Sequence, residues 1–207
     1  MVLEVITGPM FSGKSEELIK NIRKQIIANK KVQIFKHGFD SRYSKKNIAS
    51  HNKSKIEAFI AFNTSDIINE LKDDTEVIAI DEIQFFDAKI IDLCNCLADR
   101  GRHVIVSGLN LNFLGEPFRF ENSERTMAEL IAYADNVTKL FAVCTYKEGG
   151  KICGMPASRT QRIIDSRNPD EKSQVLVGGT ESYEARCRCH HKPGTGQKRL
   201  NSKNSPT

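Results

Sequence analysis

Gly8-Pro9-Met10-Phe11-Ser12-Gly13-Lys14-Ser15 follows directly on the apolar run Val2-Leu3-Glu4-Val5-Ile6 and leads into a segment where Leu18, Ile22 and Ile26 recur at four-residue steps. The β-branched run predicts a buried strand, and the recurrence predicts the apolar face of a helix. Between them the octapeptide fits G-x-x-x-x-G-K-[ST], a phosphate-binding loop in the strand-then-helix setting that the motif requires. Its glycines allow bends that turn successive N–H groups toward phosphate oxygens, and the helix adds its positive end. Lys14 is then expected to reach the β and γ phosphates of a nucleoside triphosphate, and the Ser15 hydroxyl to ligate Mg²⁺.

Working outward, Val32-Gln33-Ile34-Phe35, Val77-Ile78-Ala79-Ile80, Val104-Ile105-Val106 and Val137 to Val143 also read as buried strands, and Ile90, Leu93 and Leu97 mark a further helix. Alternation of this kind predicts an α/β fold on a mainly parallel sheet. Thr126 and Glu129 have capping-box spacing ahead of Leu130-Ile131, so a short helix is expected there, leading into the last core strand. After residue 143 the texture changes to glycine, cysteine and charge. The expected organisation is a nucleotide-binding core over 1–143, a small loop-rich domain over 144–192, and a disordered tail over 193–207.

The Val77 to Ile80 strand ends in Asp81-Glu82, which places two carboxylates at the edge where open α/β sheets bind ligands. Asp81 is suited to hold Mg²⁺, directly or through water, while Glu82 points differently and can take a proton from an attacking hydroxyl. Both acids capping the next helix is the plainer reading. Residues alone do not separate a phosphotransferase from an NTPase, since water and an alcohol need the same base. The guanine-selecting pattern Asn-Lys-x-Asp is absent, its nearest string Asn52-Lys53-Ser54-Lys55 ending in lysine, so ATP is favoured.

Among 207 residues, 39% are hydrophobic and 28% charged, and no apolar run approaches the roughly 18 to 20 residues of a membrane span. With no export signal at the start, a cytoplasmic location is expected. Four of the six cysteines lie after residue 140. In a cytosolic chain such clustering points to a metal site rather than to disulfides. Cys144, Cys153, Cys187 and His190 would make a tetrahedral Cys₃His site for structural Zn²⁺, with Cys189 or His191 as alternatives to His190. Cys94 and Cys96 fall on the predicted helix as packing thiols, and His37, His51 and His103 show no ligand spacing. The net charge of +5 and the basic end with Arg186, Arg188, Lys192, Lys198, Arg199 and Lys203 keep a nucleic-acid-binding module as a rival.

Pro9-Met10-Phe11 inside the loop, together with Asp81-Glu82-Ile83-Gln84-Phe85-Phe86, closely resembles the thymidine kinases of the cytosolic, tetrameric type. Asp40-Ser41-Arg42-Tyr43, Gly108-Leu109 with Phe113 and Phe118, Thr160-Gln161-Arg162, and Val177-Gly178-Gly179 with Tyr183 extend the resemblance over about residues 2 to 191. It implies a RecA-like P-loop core with a zinc-binding lasso domain, acting in thymidine salvage. The implied substrates are ATP, used with Mg²⁺, and thymidine. Glu82 is implied as general base, with Lys14, Ser15 and Asp81 handling triphosphate and metal, and Arg42 beside the transferring phosphate. The implied ATP-binding set runs from Gly8 to Ser15 and from Asp81 to Gln84.

The resemblance further implies a thymine site formed by Met10, Phe85, Leu109, Phe113, Phe118, Thr160 and Tyr183, closed by a lasso over Gln174, Val175, Leu176, Val177 and Gly178. A homotetramer, feedback inhibition by dTTP and no nucleic-acid polymer as partner are also implied. The family has C-x₂-C as its first zinc pair. Here Lys147 stands at that spacing and Cys153 follows later, so an insertion of six residues between the first two ligands is inferred.

Overall fold

The structure, a computed structural model, describes residues 1–39, 47–49, 55–163 and 182–193. Its first half consists of β1 (Leu3–Thr7), α1 (Lys14–Ile27), β2 (Val32–His37), β3 (Asn47–Ala49), β4 (Lys55–Glu57), β5 (Phe59–Ala61), α2 (Thr64–Glu70) and β6 (Val77–Asp81). A 3-10 turn over Ile83–Phe85 leads to α3 (Lys89–Asp99), β7 (His103–Gly108), α4 (Met127–Tyr133) and β8 (Asn136–Lys139). Short strands complete the described chain: β9 (Ala142–Val143), β10 (Lys147–Glu148), β11 (Lys151–Ile152), β12 (Pro156–Ala157), β13 (Arg159–Arg162) and β14 (Tyr183–Arg186).

The central sheet has the order β5-β2-β6-β7-β1-β8, and every neighbouring pair is parallel. This is the α/β core expected from the alternating apolar runs. Every residue of β6 is buried, as befits a strand covered on both faces. One side packs Leu18, Ile19 and Ile22 of α1 against Ile6, Ala79 and Ile105. The other packs Ile90, Ile91, Cys94 and Leu97 of α3 against Val5, Ile78, Ile80 and Val104. Each of the wholly buried isoleucines contributes roughly 1.5–3 kcal/mol relative to exposure.

Several sequence expectations change in detail. Ile26 is 49% exposed, because the apolar stripe of α1 runs through Leu18, Ile19 and Ile22 and has rotated into solvent by the last turn. In α3, Leu93 is only partly buried while Cys94 takes the core position, as a packing thiol should. The run from Val137 to Val143 is not one core strand. It divides into β8, an exposed edge strand pairing with β1, and β9, which pairs with β12 instead. Thr126 does cap α4, accepting from the Ala128 N–H at 3.2 Å, but the Glu129 carboxylate goes to Arg125.

The described residues after Phe141 form two-stranded ribbons, β9 with β12, β10 with β11, and β13 with β14. No helix among the described residues is long and apolar enough to cross a membrane. The tail, apart from Pro193, lies outside the described residues, as do Lys198, Arg199 and Lys203. Arg186 is engaged by Thr145, by Glu184 and by the Tyr146 ring.

Candidate active site and metal centre

Gly8 to Ser15 wraps the end of β1 and the start of α1. Gly8 has φ 152°, and a Cβ there would stand 2.5 Å from the Leu140 carbonyl oxygen, so the close approach of two main chains requires glycine. Gly13, at φ 79°, makes the left-handed bend that opens α1. Ser12 Oγ donates to the Pro9 carbonyl at 2.8 Å, and Lys14 Nζ donates to the same oxygen at 2.8 Å. Lys14 is partly exposed as a residue, but its ammonium end is enclosed. That burial lowers its pKa, opposed by the charges of Glu82 and Asp81. An ammonium so placed, whose hydrogen-bond partner among the described residues is a carbonyl, is suited to exchange that partner for phosphate oxygens.

Asp81 faces this loop from the end of β6. It is 3% exposed, and its carboxylate accepts from Ser15 Oγ at 3.2 Å and from Ser107 Oγ on β7. Burial pushes its pKa up, and the charge of Glu82 adds to the rise. A desolvated carboxylate beside a loop hydroxyl is a donor set for a hard divalent cation such as Mg²⁺. Glu82 has φ 56° and ψ 39°, a backbone conformation uncommon outside glycine, and its charge, like that of Asp81, reaches Lys14. Its Oε2 accepts from Gln84 Nε2 at 2.7 Å. Ile83 is wholly buried in the core and Gln84 is turned inward, so of the expected ATP-binding set these two present their side chains to the protein.

The residues expected around a nucleoside fall into two groups by their contacts. In one, the rings of Phe85 and Phe118 meet edge-on at 5.9 Å, and the Leu109 N–H donates to Gln84 Oε1 at 3.0 Å. Phe118 is 4% exposed and belongs to the main core as much as to any site. In the other, the Met10 N–H donates to Thr160 Oγ1 at 3.0 Å, Arg162 on the same strand lies over the Phe113 ring at 4.3 Å, and Tyr183 pairs with Arg162 across β13 and β14. Phe39 stacks on Phe85 at 4.7 Å, a contact that no sequence signal pointed to. Arg42 and the lasso residues Gln174, Val175, Leu176, Val177 and Gly178 lie outside the described residues.

Cys144, Cys153, Cys187 and His190 converge, their ligand atoms all within 4.8 Å of one another. His190 Nδ1 is 3.7 Å from Cys144 Sγ and 3.4 Å from Cys187 Sγ. Zn–S and Zn–N bonds of about 2.3 and 2.0 Å at tetrahedral angles would set such pairs about 3.5 Å apart, so three thiols and one imidazole fit zinc. The alternatives are otherwise disposed: Cys189 is exposed, and His191 is buried with Nε2 2.9 Å from the Phe113 carbonyl oxygen. The inserted residues form the exposed hairpin β10–β11, with Gly149 and Gly150 at φ 56° and 80° in its turn. Tyr146, at its base, stacks on His190 with ring centroids 4.2 Å apart.

Ser107, the buried hydroxyl that bonds Asp81, is a contact that the sequence reading missed. Its signal is a polar residue at the end of an apolar strand, which became meaningful only once β7 was known to lie between β1 and β6.

A glycine loop between the first strand and first helix, confronted by a buried aspartate on a parallel strand two places away, defines a P-loop nucleotide-binding α/β protein. Comparison with known proteins narrows this class. The profile described as thymidine kinase matches residues 1–191. A thymidine kinase from Thermococcus kodakarensis is 48% identical over 195 residues, an alignment covering 91% of this chain and 93% of that protein. The chain belongs to the thymidine kinase family.

Proposed function

We propose that the protein transfers the γ-phosphate of ATP to the 5′-hydroxyl of thymidine, giving thymidine monophosphate and ADP, with Glu82 as general base. The reading is supported above all by Glu82, a second carboxylate that follows the buried Asp81 at the end of β6 in a left-handed backbone conformation and acts with it on Lys14. In this reading Glu82 accepts the hydroxyl proton as the 5′-oxygen bonds to the γ-phosphorus, and the bond from that phosphorus to the bridging oxygen breaks. Lys14 and the main-chain N–H groups from Phe11 to Ser15 hold the triphosphate and meet the charge that develops on it. Mg²⁺, held by Ser15 and Asp81, would neutralise phosphate charge when bound. Arg42 is assigned to the transferring phosphate by family resemblance.

Met10, Phe85, Leu109, Phe113, Phe118, Thr160 and Tyr183 would surround the thymine base, with Gln174 to Gly178 closing over it. Cys144, Cys153, Cys187 and His190 would carry a closed, structural zinc that fixes the base of the lasso. Assembly as a homotetramer, inhibition by dTTP and a cytoplasmic location follow from the same resemblance.

The test is ATP turnover by the wild type and by Glu82→Gln, with and without thymidine, while thymidine monophosphate is followed directly. Thymidine-dependent ADP release matched by monophosphate, and reduced at least about 100-fold in the variant, is the expected result. Hydrolysis indifferent to thymidine would instead make the protein an ATPase.

A further inference from the structure

Gln84 is 1% exposed, and both ends of its amide are committed. Oε1 accepts from the Leu109 N–H at 3.0 Å, and Nε2 donates to Glu82 Oε2 at 2.7 Å. The orientation of the amide follows from its partners, since a main-chain N–H only donates and an ionised carboxylate only accepts. Gly108, at the end of β7, completes the arrangement. A Cβ there would stand 2.5 Å from Gln84 Oε1 and 2.9 Å from Ile83 Cγ2, so the absence of a side chain at 108 is what lets the amide lie against the strand.

We propose that Gln84 is the positioning residue for Glu82, a strut from the end of β7 that holds one carboxylate oxygen and leaves the other to meet the attacking hydroxyl. The inference rests on Glu82 being the base. Glu82 has an unusual backbone conformation and a side chain with three rotatable bonds, so its carboxylate needs a partner to keep one direction. A charge-assisted hydrogen bond from a buried amide supplies that partner. Phosphoryl transfer depends on placement more than on covalent chemistry, and a small displacement of the base is felt in the rate. Leu109, which anchors the other end of the amide, is also a residue assigned to the thymine site. The strut therefore ties the direction of the base to the strand end from which the nucleoside is held.

The experiment compares kcat, the KM values for ATP and thymidine, and the melting temperature for the wild type, Glu82→Gln, Gln84→Leu and Gly108→Ala. Gln84→Leu removes the donor to Glu82. Gly108→Ala displaces the same amide while leaving Gln84 and Glu82 themselves in place, and it serves if the first variant does not fold. A loss of about 10- to 100-fold in kcat is expected in both, in line with the worth of a hydrogen bond to a charged group, with both KM values within about twofold of wild type. Wild-type kcat in Gln84→Leu and Gly108→Ala beside an inactive Glu82→Gln would overturn the strut and leave the base standing. Raised KM values together with a lowered melting temperature would make Gln84 merely structural, also against the proposal. Full activity in Glu82→Gln would remove the base itself and the strut with it.

Discussion

The main-chain N–H of Met10 donates to Thr160 Oγ1 at 3.0 Å, joining the phosphate loop to β13 across 150 positions of chain. Phe11, the next loop residue, packs against the cluster formed by Ala142, Cys144, Ala157, Ala185 and Cys187. The loop thus has one end in the central sheet and its apex against the zinc-site ribbons. The shape of the loop and the placement of the ribbons are therefore coupled.

Thr160→Val keeps the shape of the side chain and removes the acceptor, leaving the Met10 N–H without its partner. With a net hydrogen bond worth about 1 kcal/mol, and more where a donor is left unsatisfied, the KM for ATP should rise about 5- to 10-fold. Because Thr160 is also assigned to the nucleoside side, the KM for thymidine should rise with it. Steady-state kinetics with each substrate varied in turn would show this, and an unchanged KM for ATP would mean that the contact does not shape the loop.

Ser107 Oγ donates to Asp81 Oδ1 from the strand between β1 and β6. Ser107→Ala removes a donor to a buried carboxylate and frees it to turn. If Asp81 serves Mg²⁺, the concentration of Mg²⁺ giving half-maximal activity should rise about 10-fold, as expected for a hydrogen bond to a charged group. A Mg²⁺ titration at saturating ATP and thymidine measures it. An unshifted curve would detach Asp81 from the metal.

Much of this arrangement is legible in the sequence. Gly8 to Ser15, Asp81-Glu82 and the Cys144, Cys153, Cys187 and His190 set carry their chemistry in residue type and short-range spacing. What the sequence hid depends on pairing between distant segments. Ser107 gains meaning only because β7 lies beside β6, and Gln84 only because a glycine at 108 leaves room for its amide. β5 and α2 are too short to show a period, although the Asn63–Asp66 capping box that starts α2 is readable in hindsight. Val137 to Val143 looked continuous because β-branched residues are compatible with both a sheet edge and a ribbon. His190 and His191 are adjacent and alike in sequence, and only the fold shows that His190 lies among the thiols while His191 meets the Phe113 carbonyl.

Zinc removal should act on the nucleoside side as well as on stability. Beyond the ligands, His191 meets the Phe113 carbonyl, and Gln161 exchanges two hydrogen bonds with the Lys192 main chain at 2.8 and 3.0 Å. Releasing the metal would free the segment that makes these contacts and with it β13. One zinc per chain is expected by elemental analysis. Chelation, or Cys153→Ser, should lower the melting temperature by several degrees and raise the KM for thymidine about 10-fold or more. A protein isolated without zinc, with unaltered melting after chelator treatment, would refute the structural role.

His37 gives the fold a dependence on pH that does not pass through the metal sites. It is 8% exposed, at the end of β2, among the rings of Phe39, Phe62, Phe85 and Phe86. Nδ1 accepts from the Phe39 N–H and Nε2 donates to the Phe62 carbonyl, both at 3.0 Å, which requires the neutral ring. Burial holds its pKa below the usual range, against opposing pulls from the Phe62 carbonyl and the carboxylates of Glu121, Glu82 and Asp66. As pH falls below about 6.5 the unfolded chain takes up a proton that the folded chain resists, so stability is lost until the folded pKa is reached. Above that window His37 contributes no pH dependence. Denaturant unfolding at pH 8 and pH 5.5 should therefore show a larger stability difference in the wild type than in His37→Asn, by about 1.4 kcal/mol for each unit of pKa lowering that has been traversed. Equal differences in the two proteins would mean that the imidazole is protonated, or solvated, in the folded state.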